Sequence, residues 1–424
     1  MEDILILGAG AAGLMAGRLL VKAGYKVTIL EARDRIGGRI HTIYDQFGKT
    51  ELGAEFVHGD LPVTLNLLKE AGIKYHAASG EMLHLDNGRL TEEGNEIDGW
   101  DELMDKMNGL KEDMNLADLL TVYFAGEEHE PLRDQAKRYV SGFDTADPAD
   151  VSVFALCEEW QNEDEGAQHR LNYGYLEMIN YLADEITSAG GQIILEAEVK
   201  DCNWSKDKVT VKTSNSESYK ARKLIIALPL GVLKSDNALT FTPPIHSQQQ
   251  AFRQIGFGAI IKVLLRFNTR FWEKLHDEDL SGALFFMSKE EIPTWWSQAP
   301  KHEALLTGWL GGNPARELTD ASDEDILEKS LESLSNIFDL TVKELKEQMQ
   351  SWHVANWTAD PYTLGSYAYD MVGSDDAREI LTSAIEDTIY FAGEYLYHGP
   401  AMGTVEAALT SAAAVATNII DKSK

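Results

Sequence analysis

The chain has 424 residues, 44% hydrophobic and 25% charged, enough to bury a large core and, by length, to form roughly two to three domains. A formal net charge of -31 argues against phosphate backbones and anionic lipid headgroups, so neither nucleic acid nor a membrane is an expected partner. It would draw in a positively charged ligand, although acidity this general mostly serves solubility. Two cysteines, Cys157 and Cys202, sit in no Cys-x-x-Cys or Cys/His spacing, which excludes a disulfide framework and a zinc site, so no metal is expected and a reducing, cytoplasmic setting is.

Met1-Glu2-Asp3 runs straight into "ILILGAGAAG" without a basic leader, so no signal peptide is expected. The first unit predicts a strand at Ile4 to Leu7, a Gly-rich turn, a helix at Ala11 to Ala23 and a second strand at Lys26 to Leu30. In this βαβ context Gly8, Gly10 and Gly13 form Gly-x-Gly-x-x-Gly, and Glu31 follows Gly13 by eighteen residues. Glycines at these positions let a pyrophosphate approach the helix N-terminus, and a carboxylate at the end of the second strand can accept both hydroxyls of an adenosine ribose. Gly37-Gly38 allows a second close approach of backbone, and Arg39 or Arg35 can pair bidentately with pyrophosphate.

From Pro62 to about Gly190 the pattern is mainly helical, with "DGWDELMDKMNGLKEDMN" read as solvated helix faces. The stretch from Gln192 then alternates as strands do and ends in the apolar run Leu224 to Leu228. "AIIKVLLRF" reads as a strand with Lys262 at its centre, a residue costly to bury without a partner. Alternation groups Lys262 with Leu264 and Arg266, so an exposed face is the other reading of that run. A mixed region around Trp295, Trp309, Trp352 and Trp357 contains a helix near Asp323 to Phe338. The chain returns to a strand at Thr388 to Phe391, a turn containing Gly399 and Gly403, and an alanine-rich helix too short and polar to span a membrane. The N–H groups at the start of that helix point at something electron-rich.

No internal repeat or low-complexity linker separates these parts. The expected fold is α/β: a Rossmann-like dinucleotide-binding domain assembled from the discontinuous segments 1–61, 191–242 and 380–424, with an inserted mixed α+β substrate domain from 62–190 and 243–379.

Glu31-Ala32-x-x-Arg35-x-Gly37-Gly38-Arg39, "LGAEFVHG" at Leu52 to Gly59, "ALPLGVL" at Ala227 to Leu233 and "FAGE" at Phe391 to Glu394 together resemble the flavin-containing amine oxidases. That family includes monoamine and polyamine oxidases, L-amino acid oxidases and histone lysine demethylases. The resemblance implies FAD. It assigns Glu31 to the adenosine ribose, Arg39 to the pyrophosphate, Val199 to the adenine through its backbone, and Glu394 to the ribityl and pyrophosphate region. Gly38, Arg33, Gly393, Gly403, Thr404 and Val405 join the cofactor-binding set, the helix start from Met402 to Val405 lying under the flavin pyrimidine.

The resemblance also gives Lys262 the role of holding a water against flavin N5, and Tyr367 that of one wall of an aromatic cage around the amine. Where monoamine oxidases have Gly-Cys-Tyr with a flavin-linked cysteine, this chain has Gly365-Ser366-Tyr367, so FAD should be non-covalent. Pro400 or Ala401 falls where the second cage tyrosine stands, which leaves Tyr395, Tyr397 or a tryptophan to supply that wall. Glu55 and His58 border the active site in relatives, and Glu55 is a candidate for a distal ammonium.

The implied reaction is hydride transfer from the α-carbon of an amine to flavin N5, hydrolysis of the imine, and reoxidation by O2 to give H2O2. The alternatives are an L-amino acid oxidase, against which the missing arginine near "GAEFVHG" argues, a desaturase or protoporphyrinogen-type oxidase, and a non-catalytic flavin-bearing protein. The expected partners are a small amine and O2, for a monomer or homodimer.

Overall fold

The computed structural model describes residues 2–46, 48–86, 88–92, 98–162, 168–236, 239–275, 278–399 and 401–422. It opens with strand β1 (Glu2–Leu7), helix α1 (Ala11–Lys22) and strand β2 (Val27–Leu30). β1 and β2 run parallel, with Ile4 opposite Val27 and Leu7 opposite Leu30. Ile4–Leu7 of β1 and Val27, Ile29 and Leu30 of β2 are apolar and buried because both faces of the sheet are covered. Ile4 and Ile6 point into one core with Leu14 and Leu20 of α1, whereas Leu5 and Leu7 point into a second core with Leu224, Ile226 and Phe252.

β1 belongs to an eight-stranded sheet that also takes strands from 192–242 and from Ile389–Phe391. The long strand Ser218–Ile226 lies parallel to β1, with Ile226 level with Leu7, and also parallel to Ile389–Phe391, with Ile226 level with Phe391. Three separated stretches of chain therefore end at the same height. Their continuations, the Gly8 turn, Ala227–Pro229 and Ala392–Glu394, share the carboxyl end of the sheet, where α/β folds bind ligands.

Helix α2 (Pro62–Ala71) and the helix Leu176–Ser188, grouped by sequence with the substrate domain, instead pack through Leu67, Leu68, Met178 and Leu182 into the α1 core. Glu406, in the first turn of the closing helix Val405–Asp421, accepts from the N–H groups of Val63 (2.9 Å) and Thr64 (2.6 Å) and from the Thr64 hydroxyl (2.7 Å). A buried carboxylate thus caps α2, whose own N-cap residue Leu61 offers no side-chain bond, and ties the last helix to this layer.

A second, seven-stranded sheet combines Glu81–Asp86 and Arg89–Thr91 with five strands from 260–356. Its strand Ile260–Phe267 sends Ile261, Val263 and Leu265 against the helix Asp323–Phe338, through Leu331 and Leu334. The other face, Lys262, Leu264 and Arg266, is buried as well, at 1%, 1% and 6% exposure, so this strand is covered on both sides. Among the described residues no helix is long and apolar enough to cross a membrane, and no group of three or more His, Cys, Asp or Glu could hold a metal ion.

Candidate active site

The turn after β1 is shaped by contacts only glycine permits. Gly8 has φ +98°, and a methyl on it would stand 2.6 Å from the Ala227 carbonyl oxygen. A methyl on Gly13 would stand 1.9 Å from the carbonyl oxygen of Gly8. Gly10, the N-cap of α1, differs: its φ is -78°, it provides no side-chain cap, and the nearest atom to a methyl there lies 3.9 Å away. The start of α1 is thus open to an anion while the turn beneath it is closely packed. The Gly37 N–H donates to Ala9 O at 2.8 Å, laying the second glycine pair, including Gly38 at φ +60°, beside this turn.

Glu31 is buried and accepts from the N–H groups of Ala9 (2.7 Å) and Arg33 (2.9 Å). Each oxygen keeps a lone pair, so the carboxylate can also accept ribose hydroxyls. Replacing Glu31 by alanine is expected to leave the Ala9 N–H without its partner and to weaken FAD binding by about tenfold or more. Flavin fluorescence during titration of the stripped protein checks this, and full occupancy at low free FAD removes the ribose assignment.

The three arginines of the following loop divide their work. Arg33, expected among the cofactor groups, is turned to Asp360 at 3.0 and 2.5 Å and lies over the Tyr362 ring, so its fork is already used. Arg35 donates to the carbonyls of Ile36, Gly38 and Ile40 at 3.0–3.3 Å and braces its own loop. Arg39 reaches Glu394 Oε1 (2.9 Å) and Ser366 O (2.6 Å) and remains partly accessible. Glu394 is 3% exposed and also accepts from the Ala368 N–H at 3.2 Å.

Gly393 donates to the Ser411 hydroxyl at 3.2 Å, which fixes the turn against the closing helix. Thr404 caps that helix by accepting from the Ala407 N–H at 3.3 Å, with Val405 as the first helical residue. Val199 opens the strand Val199–Ser205, whose register breaks between Val199 and Asp201. These groups fit a dinucleotide carrying a pyrophosphate: an uncapped helix start, a buried carboxylate just after β2 and an arginine bridging Glu394 and Ser366 O.

A contact path leads from this cradle to the second sheet. A methyl on Gly53 would lie 1.8 Å from Arg39 O, and Gly53 O accepts from Lys262 Nζ at 3.1 Å. Lys262 Nζ also donates to Glu55 Oε2 at 2.8 Å and lies over the Trp296 ring. Burial works to raise the Glu55 carboxyl, but Lys262 and Arg170 reverse that and hold it at about 2. Its stabilising effect is therefore complete above about pH 4.5 and is lost as pH falls through about 2, an effect on the order of 3 kcal/mol for the shift cited. Acid unfolding followed by tryptophan fluorescence should show that loss, and Glu55→Gln should reduce it.

Tyr367 lies against Gly403, φ +74°, where a methyl would come within 2.7 Å of its ring. Its hydroxyl donates to Phe143 O at 2.5 Å, and burial, with Asp144 and Glu159 nearby, raises its pKa. Ser366 is buried and shares a 2.6 Å hydrogen bond with Thr145. His58 is solvent-accessible, yet desolvation holds its imidazole below the usual histidine value, the behaviour of a ring that lines a recess.

Tyr395 is not brought to the Tyr367 side: it is 0% exposed and packs with Leu5, Leu7 and Ile226 beneath the sheet. Pro400 lies outside the described residues. Arg170, Trp296, Gln298 and Asp360 are site-building residues that no sequence motif marked. The cost of burying Lys262 was the one signal that partners of this kind existed.

The pattern that defines the flavin containing amine oxidoreductases matches residues 11–420. The chain belongs to that family. Among its relatives, human lysine-specific histone demethylase 2 is 29% identical over 93% of this chain and 50% of its own length. Polyamine oxidase 4 of Oryza sativa subsp. japonica is 26% identical over 92% of this chain and 83% of its own. The chain thus spans half the length of the demethylase it matches. Among solved structures, putrescine oxidase bound to putrescine superposes with a TM-score of 0.81 at 21% identity, covering 99% of both chains. Cyclohexylamine oxidase from Brevibacterium oxydans IH-35A gives 0.79 at 20% identity, again over 99% of both. The fold is theirs, and the family named by the sequence motifs is the one found.

Proposed function

We propose that this amine oxidoreductase family member uses non-covalently bound FAD to oxidise an amine carrying more than one cationic nitrogen, with O2 as acceptor. The observation that carries this reading is the path Glu394–Arg39–Gly53–Lys262, which joins the dinucleotide cradle to a buried ammonium on the facing sheet. When bound, FAD would supply the hydride acceptor that turns the amine into an imine, which water hydrolyses, and would return two electrons with two protons to O2 as H2O2. Glu31 and the α1 N-terminus hold the adenosine and pyrophosphate, and Arg39 with Glu394 fixes the middle of the cofactor. Lys262 holds positive charge where oxygen reduction develops negative charge.

Non-covalent attachment is supported by Ser366 in the position that tethers flavin in monoamine oxidases, and by the burial of both cysteines, free in the structure, elsewhere. A polycationic substrate is supported by the recess beside Gly399, lined by Asp113, Glu158 and Glu159 together with Asp370 and Asp375, which share Arg378, and by the names of the polyamine oxidase relatives. Tyr367, packed against Gly403 and near Glu159, offers an aromatic face to the nitrogen.

The test is the visible spectrum of the purified protein under anaerobic conditions, before and after putrescine, spermidine, simple monoamines and L-amino acids. Bleaching by the polyamines supports the proposal. Bleaching by monoamines or L-amino acids alone overturns the substrate class. A protein that cannot take up FAD overturns the whole reading.

A further inference from the structure

Glu55 is a 7% exposed carboxylate with two close nitrogen partners at each oxygen. Its Oε2 accepts from Lys262 Nζ (2.8 Å) and Trp296 Nε1 (3.2 Å), while Oε1 faces Arg170 Nε (3.0 Å) and accepts from Gln298 Nε2 (3.3 Å). Arg170 is itself fixed, donating to Ala299 O (3.1 Å) and Ser297 O (2.9 Å) with its guanidinium over the Phe56 ring. A substrate ammonium could reach Glu55 only by displacing one of these donors.

We infer that Glu55 is a positioning residue: it fixes the Lys262 ammonium in place and supplies its counter-charge, and through Lys262 it controls flavin reoxidation without binding the amine. The inference rests on the role proposed above for Lys262. Three buried groups carry two cations and one anion, so the carboxylate is what keeps two positive charges together in the interior. Other titratable groups facing the set are Glu51 toward Lys262, His58 toward Glu55, and Glu303, Lys301 and His76 toward Arg170. Desolvation lowers the His58 pKa below its usual value, which favours the neutral imidazole over a replacement charge.

Glu55→Gln keeps an oxygen for Lys262 but removes the counter-charge. The ammonium is then left among Trp296, Gly53 O and the Arg170 cation, where desolvation and like-charge repulsion both favour its neutral form. The flavin is reduced with dithionite, which makes the experiment independent of substrate identity, and mixed with oxygenated buffer from about pH 6 to about pH 10, with flavin content measured in parallel. Glu55→Gln is expected to reoxidise near the wild-type rate at the acid end and about tenfold more slowly at the alkaline end. Introduced into Lys262→Met, the same change should alter the rate by less than about twofold, because the residue it acts through is gone. The KM for the reducing amine should stay within about twofold of wild type, whereas a distal-ammonium role would raise it by about tenfold or more.

A wild-type pH profile in Glu55→Gln overturns the inference, as does an equal slowing in both backgrounds. If Glu55→Gln does not fold, Lys262→Met and the double variant, which removes both partners of the ion pair, still decide it: unequal reoxidation rates overturn it. Loss of the proposed function is distinguishable, since Lys262→Met would then reoxidise like the wild type, or no variant would hold FAD.

Discussion

Replacing Lys262 by methionine is expected to give a yellow protein whose reduced flavin reoxidises about 10²-fold more slowly in air, the effect typical of removing one preorganised charge from a developing anion. Methionine matches the stem of lysine in length, and the strand Ile260–Phe267 is buried on both faces, so the side chain keeps its packing. The change removes the bonds to Glu55 and Gly53 O but leaves Glu55 with Arg170, Trp296 and Gln298. The remaining pair carries no net charge, so the folding cost should be only about 1–3 kcal/mol. Anaerobic reduction by the amine and reoxidation by O2 are measured as separate half-reactions. A slow second half-reaction with retained FAD is the expected result, and unchanged oxygen reactivity removes the role given to Lys262.

The parts of this site that the sequence displayed are those whose chemistry needs a fixed local spacing. Gly8, Gly10, Gly13 and Glu31 lie within one βαβ unit, where turn geometry and strand length set their positions, and the structure builds that unit within two residues of the expected bounds. The helix Asp323–Phe338 was equally plain, because Leu327, Leu331, Leu334 and Phe338 mark one face at helical spacing.

Contacts across sequence were not legible. Glu55 meets Arg170, Trp296, Gln298 and Lys262, all more than one hundred residues away, and nothing local distinguishes a carboxylate saturated by such partners from one open to a ligand. Tyr395 shows a second limit. It follows Glu394 directly, but the two share a tight 3-10 turn that advances each side chain by about a third of a revolution. With Glu394 facing Arg39, Tyr395 turns into the core. The burial of Lys262 had the same origin: alternation identified its face, but the residues 49–55 that cover that face come from the other end of the chain.

The sharpest test of the cofactor site compares two single methyl groups. In Gly13→Ala the added carbon would lie 1.9 Å from Gly8 O and 3.1 Å from the Gly8 carbonyl carbon, both backbone atoms of the turn itself. The turn must open, so the stripped protein should melt several degrees lower and FAD binding should be lost by about 10²-fold or more, an overpacking cost of about 1–3 kcal/mol borne directly by the phosphate cradle. In Gly10→Ala the backbone, at φ -78° and ψ -176°, suits any residue, and the nearest atom stands 3.9 Å away. The stripped protein should therefore keep its melting temperature to within a degree or so, since glycine and alanine differ only modestly at an N-cap that makes no side-chain bond.

Only a ligand seated at the start of α1 would meet the Gly10→Ala methyl, and FAD affinity should fall by about tenfold. The two variants separate damage to the protein from exclusion of the ligand, which loss of activity alone cannot do. If Gly10→Ala takes up FAD as tightly as the wild type, the pyrophosphate does not sit on this helix, and the roles of Glu31 and Arg39 fall with it. If it loses FAD while melting as before, the open start of α1 is where the cofactor is held.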